Sequence, residues 1–99
     1  MQIEFNKEGA KLTVAAEGRI DTMTAPEFEK QLCEKLEGVS ELVLDMAKVE
    51  YVSSAGLRVI LKVQKLMNHN GKMKLTKVNE SVMEVFEITG FSDILNIEK

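Results

Sequence analysis

An uninterrupted apolar segment, followed closely by a long apolar helix, is the feature that most constrains how this chain can fold. Leu42 to Leu44 run without polar alternation, which is typical of a strand that is covered on both faces. From Ser54 to about Asn68 the apolar residues occupy more than one helical stripe, so this helix is predicted to be the most deeply packed. Ser53 and Ser54 therefore stand at the start of a buried helix.

The rest of the chain alternates between short strand patterns and helix patterns. Ile3 and Phe5, and then Leu12, Val14 and Ala16, alternate with polar residues, which predicts two half-buried strands joined by a glycine-containing turn. In chain order we predict strands around residues 3–5 and 11–17, a loop over 18–23, a helix over 25–37, a strand over 41–45, a helix over 54–68, a strand over 72–77, a helix ending at residue 90, and a short helical turn followed by an extended tail.

Capping signals mark the starts of two other helices. Thr24 lies three residues before Glu27, which is the spacing of a capping box. The last helix can be capped by Asn79 or by Ser81, and Ser81 has a glutamate at capping-box spacing. Gly38 and Gly90 are the predicted stops, because glycine commonly ends a helix in the left-handed conformation.

The order of these elements predicts a small α/β fold. The first two strands form an antiparallel hairpin, and each later strand follows a helix, so it should lie parallel to its predecessor. The order β-β-α-β-α-β-α corresponds to a mixed sheet of four to five strands with three to four helices, in a single domain over residues 1–99.

Composition excludes several classes of function. The formal net charge of −3 provides no basic field for nucleic acid, and the chain contains no Trp. Cys33 is the only cysteine, which rules out an internal disulfide and a thiolate metal cluster. We predict no metal site and no cofactor. The first residues show neither a signal peptide nor a membrane-spanning run, so we expect a cytoplasmic protein without membrane contact.

The carboxyl ends of parallel strands meet at one edge of a sheet, which is where open α/β folds bind ligands and partners. This topology predicts that Asp21, Asp45, Ser53 and Ser54 gather at that edge. His69, the only histidine, lies at the opposite end of the Ser54 helix, about 20 Å away at 1.5 Å per residue. A serine nucleophile activated by histidine is therefore excluded.

The two serines leave two interpretations open. In the simpler one, either hydroxyl only caps the helix, which is the usual role of serine at this position. In the other, one serine accepts a phosphate, whose charge of about −2 would be stabilised by the positive end of the helix dipole. The second interpretation describes a binding switch, and not an enzyme.

Residues 49–61, Val-Glu-Tyr-Val-Ser-Ser-Ala-Gly-Leu-Arg-Val-Ile-Leu, resemble the signature of STAS domains, in particular of bacterial anti-sigma factor antagonists. Residues 18–21 (Gly-Arg-Ile-Asp) resemble the family's loop after the second strand, and residues 85–91 (Val-Phe-Glu-Ile-Thr-Gly-Phe) resemble its last helix and the turn beyond it. The resemblance extends over nearly the whole chain and implies a STAS-like fold.

The resemblance implies a protein–protein switch. The unmodified antagonist binds an anti-sigma factor that is also a serine kinase, and this binding releases the sigma factor. Phosphorylation of the antagonist breaks the complex, and a serine phosphatase restores it. Carried over to this chain, the acceptor is Ser54, and Asp21 matches an acidic position near the acceptor. The implied partner-binding residues are Asp21, Thr22, Met23, Val52, Ser53, Ala55, Gly56, Leu57 and Arg58.

One departure from the family pattern matters. Many antagonists have Asp-Ser-Ser/Thr-Gly where this chain has Ser53, Ser54, Ala55 and Gly56. The acid before the acceptor is thus a serine, which leaves Ser53 as a second, weaker candidate acceptor. It also leaves open an alternative function, a non-switching STAS scaffold or an accessory subunit of a sensor or transporter complex.

Overall fold

The computed structural model describes residues 2–98 and contains a five-stranded sheet with three α-helices. The elements are β1 (Gln2–Glu8), β2 (Lys11–Ile20), α1 (Ala25–Lys35), β3 (Glu41–Val52), α2 (Ser54–Asn70), β4 (Lys72–Thr76), α3 (Glu80–Ile88), a short 3-10 helix (Phe91–Asp93) and β5 (Ile97–Glu98). The spatial order of the strands follows the chain, β1-β2-β3-β4-β5. Only β1 and β2 are antiparallel among these neighbours.

This architecture confirms the predicted mixed sheet and the order β-β-α-β-α-β-α. The extended tail is a real strand, because Ile97 pairs with Leu75 of β4 and so adds a fifth strand to the sheet. No helix in the described residues is long and apolar enough to cross a membrane.

One face of the sheet is covered by the helices and the other is open. Leu42 and Leu44 are fully buried in the same core as the apolar faces of the three helices. Val43 is also buried but lies outside that core, on the opposite face, where its register neighbours are Thr13 and Lys74. The prediction that this strand is covered by other elements on both faces is therefore wrong, since neighbouring side chains alone shield Val43.

Ion pairs between the side chains of adjacent strands cross the open face. Glu41 lies between two lysines, 3.8 Å from the Lys11 ammonium and 3.3 Å from that of Lys72. Lys74 of β4 pairs with Glu98 of β5 at 2.8 Å. These pairs are exposed, so each adds little stability, but they make this face polar enough to remain solvated.

Strands β2 and β3 are longer than predicted. Residues 18–20 are not a loop but the end of β2, and residues 46–52 continue β3. The two segments pair with each other, with Arg19 opposite Tyr51 and Ile20 opposite Val52. Two register shifts, between Ala15 and Glu17 and between Gly18 and Arg19, interrupt the alternation of side chains. Each shift adds an extra residue to β3, whose later buried side chains are Met46, Val49 and Val52, so the period-2 signal is lost in β3 while β2 keeps it.

The helix ends also depart in part from their predicted positions. The Thr24 hydroxyl does not cap α1, because it donates to the Arg19 carbonyl oxygen at 2.7 Å, so the predicted capping box is wrong. Helix α1 ends at Lys35, not residue 37, while α2 continues to Asn70. Seven residues of α2 are buried, against three in α1 and two in α3, which confirms α2 as the most deeply packed helix.

Asn79, and not Ser81, caps α3. Its side-chain oxygen accepts the backbone N–H of Val82 at 2.8 Å. Its side-chain nitrogen donates to the backbone carbonyl of Val49 at 2.7 Å. Val49 lies in the part of β3 that extends past β4. The Asn79 side chain therefore joins the start of α3 to the free edge of β3.

Replacing Asn79 tests this double role. Asn79→Ala should lower the free energy of unfolding by about 2 kcal/mol, because it removes the cap and leaves the Val49 carbonyl without its donor. Asn79→Asp keeps a capping oxygen but cannot donate, so it should also destabilise the fold. Urea unfolding measures both. An Asp variant as stable as the wild type would show that the bond to Val49 contributes nothing.

Candidate functional site

The start of α2 is attached to the end of β2 by the backbone of Ser53. The Ser53 N–H donates to the Ile20 carbonyl at 2.8 Å, and the Ser53 carbonyl accepts the N–H of Leu57 at 2.8 Å. The Ser53 side chain accepts the N–H of Gly56 at 3.3 Å, in extended backbone geometry that is typical of an N-cap. Ser53 therefore serves as both the cap of α2 and the anchor of its first turn.

Ser54, the first residue of α2, has a different environment. Its side chain is exposed, and its hydroxyl makes no hydrogen bond to any residue that the structure describes. The helix start is one of the most positive points of the backbone, and the first turn of α2 contains no acidic residue that would offset it. The simpler interpretation of the serine pair thus applies to Ser53 alone, and Ser54 is left accessible.

Gly56 allows the helix start to approach the sheet this closely. A Cβ atom at this position would lie 2.6 Å from the Ile20 carbonyl oxygen and 3.0 Å from a methyl carbon of Val52. Ile20 and Val52 are themselves buried, at the paired ends of β2 and β3. Any other residue would push α2 away from the strand ends and strain the Ser53–Ile20 bond.

Asp21 orders the loop that follows β2. One of its carboxylate oxygens accepts the backbone N–H groups of Met23, at 2.9 Å, and of Thr24, at 3.1 Å. The Thr24 hydroxyl accepts the Asp21 N–H at 2.9 Å, which closes the loop from the other side. Asp21 directly follows Ile20, so this ordered loop lies beside the start of α2.

These hydrogen bonds determine the ionisation of Asp21. The backbone N–H of Thr24 has the largest effect and holds the pKa of the carboxyl below its ordinary value, with further contributions from Met23, the Thr24 hydroxyl and Arg19. Partial burial acts in the opposite direction but is outweighed. A carboxylate bonded in this way is ionised at neutral pH, so the loop places a negative charge beside the helix start.

Arg19 and Tyr51 form a contact that the sequence analysis missed. The Arg19 guanidinium lies 4.6 Å from the centre of the Tyr51 ring, and its Nε is 3.6 Å from the second oxygen of Asp21. Tyr51 remains 41% exposed, so this contact forms part of the surface. Both residues lie in the resembling segments, but only the strand register, which pairs them, could have revealed the contact.

The predicted partner-binding residues divide into two groups. Thr22, Met23 and Arg58 are exposed, and Met23 is 87% exposed, unusually high for an apolar side chain. Asp21, Ser53 and Ala55 are half-buried, and these six residues make up the group with accessible side chains.

The second group consists of Val52, Gly56 and Leu57, which are buried and present little surface to a partner. Their role as partner contacts stays a prediction; in the structure they support the helix start from beneath. The exposed or half-buried residues Thr22, Met23, Ser54, Ala55 and Arg58 lie around the helix start, and we call them the α2 start surface.

Asp45 does not belong to this site. It lies in the middle of β3, seven residues before the strand ends and so about 20 Å from the helix start at the usual strand rise. One oxygen accepts the Ala47 N–H at 2.9 Å, and the other is 3.8 Å from the Lys77 ammonium. The expectation that Asp45 joins Asp21 and the serines is wrong, because β3 is longer than predicted.

Comparisons with known proteins agree with this architecture. The family model described as the STAS domain matches residues 2–99. BtrV of Bordetella bronchiseptica, described as an anti-sigma factor antagonist, is 33% identical over 98% of this chain and 85% of its own length.

Two solved structures show the same fold. A Thermotoga maritima protein described as an anti-sigma factor antagonist superposes with a TM-score of 0.90, at 21% identity, over 98% of this chain and 86% of the other. The Bacillus cell fate determinant SpoIIAA, solved in its phosphorylated form, superposes with a TM-score of 0.75, at 11% identity, over 99% of this chain and 92% of the other.

The close approach at Gly56 can be tested by adding one methyl group. Gly56→Ala should lower the free energy of unfolding by about 2 kcal/mol, because the new Cβ would overlap the Ile20 carbonyl. In an unobstructed helix the same change stabilises by about 1 kcal/mol, so the sign of the effect is diagnostic. Denaturant unfolding measures the sign of this change in the free energy of unfolding. Lys65→Ala, at an exposed position of α2, is the control. A more stable Ala variant would contradict the contact.

The loop around Asp21 should respond to acid. Because the folded state lowers the pKa of this carboxyl, Asp21 stabilises the protein fully above the unfolded value of about 3.9. That contribution is lost as the pH falls through the lower pKa of the folded state. The stability advantage of the wild type over Asp21→Asn should therefore shrink below about pH 4. Thermal unfolding at stepped pH measures it, and an advantage that does not change with pH would refute the assignment.

Proposed function

This chain belongs to the STAS domain family, among the anti-sigma factor antagonists, and on that premise we propose that it binds an anti-sigma factor through the α2 start surface. The partner is an anti-sigma factor that is also a serine kinase. Phosphorylation of Ser54 by this kinase ends the binding, and a serine phosphatase restores it. The chain acts as a regulatory binding protein in this scheme and not as an enzyme.

The observation that carries this proposal is the difference between the two serine side chains: one caps α2 and the other is exposed. Ser53 accepts the Gly56 N–H and so completes the cap of α2. Ser54 is exposed, and the cap does not use its hydroxyl. A kinase can modify Ser54 without breaking a hydrogen bond of the fold. Ser53 is the weaker acceptor candidate, because its side-chain oxygen is already engaged.

The fold can also tolerate a phosphate on Ser54. The added charge of about −2 would lie at the positive end of the helix dipole. Arg58, exposed and four residues further along α2, is on the same side of the helix as Ser54. A phosphorylated side chain can therefore be neutralised within the protein, which supports a modified form that stays folded.

The same phosphate would oppose a partner. Met23 offers an exposed apolar side chain of the kind that is buried at the centre of protein interfaces. If a partner buried Met23, the dianionic phosphate on the same surface would also lose its hydration, which is costly. The ionised Asp21 adds a further negative charge beside the phosphate. Modification should therefore weaken binding without unfolding either protein.

The serine at the family's acidic position does not weaken this proposal. Aspartate and serine are both favourable N-cap residues, so Ser53 keeps the structural role of that acid while removing its charge. A solved phosphorylated form of SpoIIAA, which shares this fold, is consistent with an acceptor that the fold can accommodate.

The proposal predicts a specific pattern of phosphorylation and binding. After incubation with the cognate kinase and ATP, mass spectrometry should find phosphate on the wild type and on Ser53→Ala, but not on Ser54→Ala. Ser54→Ala should still bind the kinase. Ser54→Asp should bind it at least about tenfold more weakly in calorimetry, because it places a charge in the interface. Incubation of the phosphorylated protein with a serine phosphatase should restore binding.

Ser53→Ala provides the matched control. It should lose about 1 kcal/mol of stability because the cap is removed, yet still accept phosphate on Ser54. Full labelling of Ser54→Ala would place the acceptor elsewhere. Full binding by Ser54→Asp together with no labelling of the wild type would favour the non-switching scaffold.

A further inference from the structure

Among the helices in residues 2–98, α2 is the one with a net positive charge. Its 17 residues include Arg58, Lys62 and Lys65 but no Asp or Glu. The chain as a whole carries a formal charge of −3, so everything outside α2 carries −6. A protein with this overall balance thus presents one helix of opposite sign to its surroundings.

The exposed side of α2 is shaped as a groove. Arg58, Lys62 and Leu66 are spaced four residues apart and form one ridge, and Leu61, Lys65 and His69 form a second ridge with the same spacing. These six residues line an open depression of about 430 Å³. Its apolar part comes from the two leucines, and Leu66 is 38% exposed.

The buried side of α2 and its side towards α1 contact other parts of the protein, whereas the two leucines of the groove face outward. The buried side packs into the core through residues such as Ile60, Val63 and Met67. On the side towards α1, Lys62 donates to Glu29 at 3.1 Å. Within residues 2–98, the groove is lined by residues of α2 alone.

We propose that this groove docks an acidic, amphipathic helix of a partner protein. Ridges and grooves with four-residue spacing are the commonest packing surfaces between helices, and they cross at an angle of about −50°. A partner ridge of apolar residues would lie over Leu61 and Leu66, and its flanking carboxylates would face Lys62, Lys65 and Arg58. The groove shares Arg58 with the α2 start surface but extends away from Ser54, since Lys65 is 11 residues further along α2, or about 16 Å.

Charge favours a protein helix over a membrane or a nucleic acid. An anionic bilayer or a polynucleotide presents negative charge over a wide area, and it would also meet the −6 carried by the rest of the chain. An acidic helix contacts only the strip between the two ridges. Glu29 borders this strip through its pair with Lys62, and screening over about 8 Å at physiological salt weakens the repulsion from more distant acidic residues.

A pair of designed probes tests the docking. The first is a synthetic helix of about 20 residues with a leucine stripe flanked by glutamates. The second is the same peptide with lysine replacing every glutamate. Titration of the isotopically labelled full chain, followed by backbone amide NMR shifts, should show the acidic peptide binding at residues 58–69 of α2. The lysine peptide should leave these shifts unchanged.

Variants separate local charge from net charge. Lys62→Glu combined with Lys65→Glu should weaken binding of the acidic peptide at least about tenfold, and Lys65→Glu alone should weaken it by a smaller factor. Lys30→Glu combined with Lys48→Glu makes the same change in net charge at exposed positions of α1 and β3, and should leave the affinity within about twofold of the wild type. Thermal unfolding confirms that each variant is folded.

The remaining outcomes overturn the proposal. If the two double variants lost equal affinity for the acidic peptide, the peptide would be attracted by the net charge of the protein alone. Shifts that map to the lysines of the open sheet face would place the site elsewhere. Failure of the wild type to bind the acidic peptide, or stronger lysine-dependent binding to phosphatidylglycerol vesicles, would reject a helical partner. None of these outcomes bears on Ser54, which is left intact in every variant.

Discussion

The hydrogen bond from the Ser53 N–H to the Ile20 carbonyl is the interaction on which the arrangement of this protein depends. It joins the end of one long strand to the start of the most deeply packed helix. Gly56 permits it by lacking a side chain at the point of closest approach. The paired ends of β2 and β3, the Asp21 loop and the first turn of α2 are consequently joined by hydrogen bonds into one unit that carries the site residues.

This construction explains how a surface residue can be modified while the fold persists. The groups that define the helix start are already engaged: the Ser53 side chain accepts the Gly56 N–H, and the Ser53 N–H donates to the Ile20 carbonyl. Ser54 lies next to these groups as the first residue of α2, but its hydroxyl takes no part in the cap. A charge added at Ser54 acts on whatever lies outside the protein, because the interior contacts are already complete without its hydroxyl.

The one-sided sheet has a related consequence for where partners can bind. All three helices contribute to a single core on one face, while the other face is a polar surface crossed by exposed ion pairs. The outward side of α2 and the loops at its start therefore provide both apolar surface and exposed charge. In the loop at one end the Asp21 carboxylate is paired with Arg19, whereas the ridges along the helix are basic, so the two regions suit partner surfaces of different character.

The sequence by itself determined the order of the elements, the parallel and antiparallel pairing, and the helix start at Ser54, because periodicity, glycine stops and crossover rules are local or topological. It also led to the family through residues 49–61. Only the tertiary structure decided which serine caps the helix, that Thr24 does not cap α1, and that Asp45 is remote from the site. These outcomes depend on contacts between segments that are distant in the sequence. The lengths of β2 and β3 follow from their pairing with each other, and the roles of the two serines follow from the position of the Ile20 carbonyl.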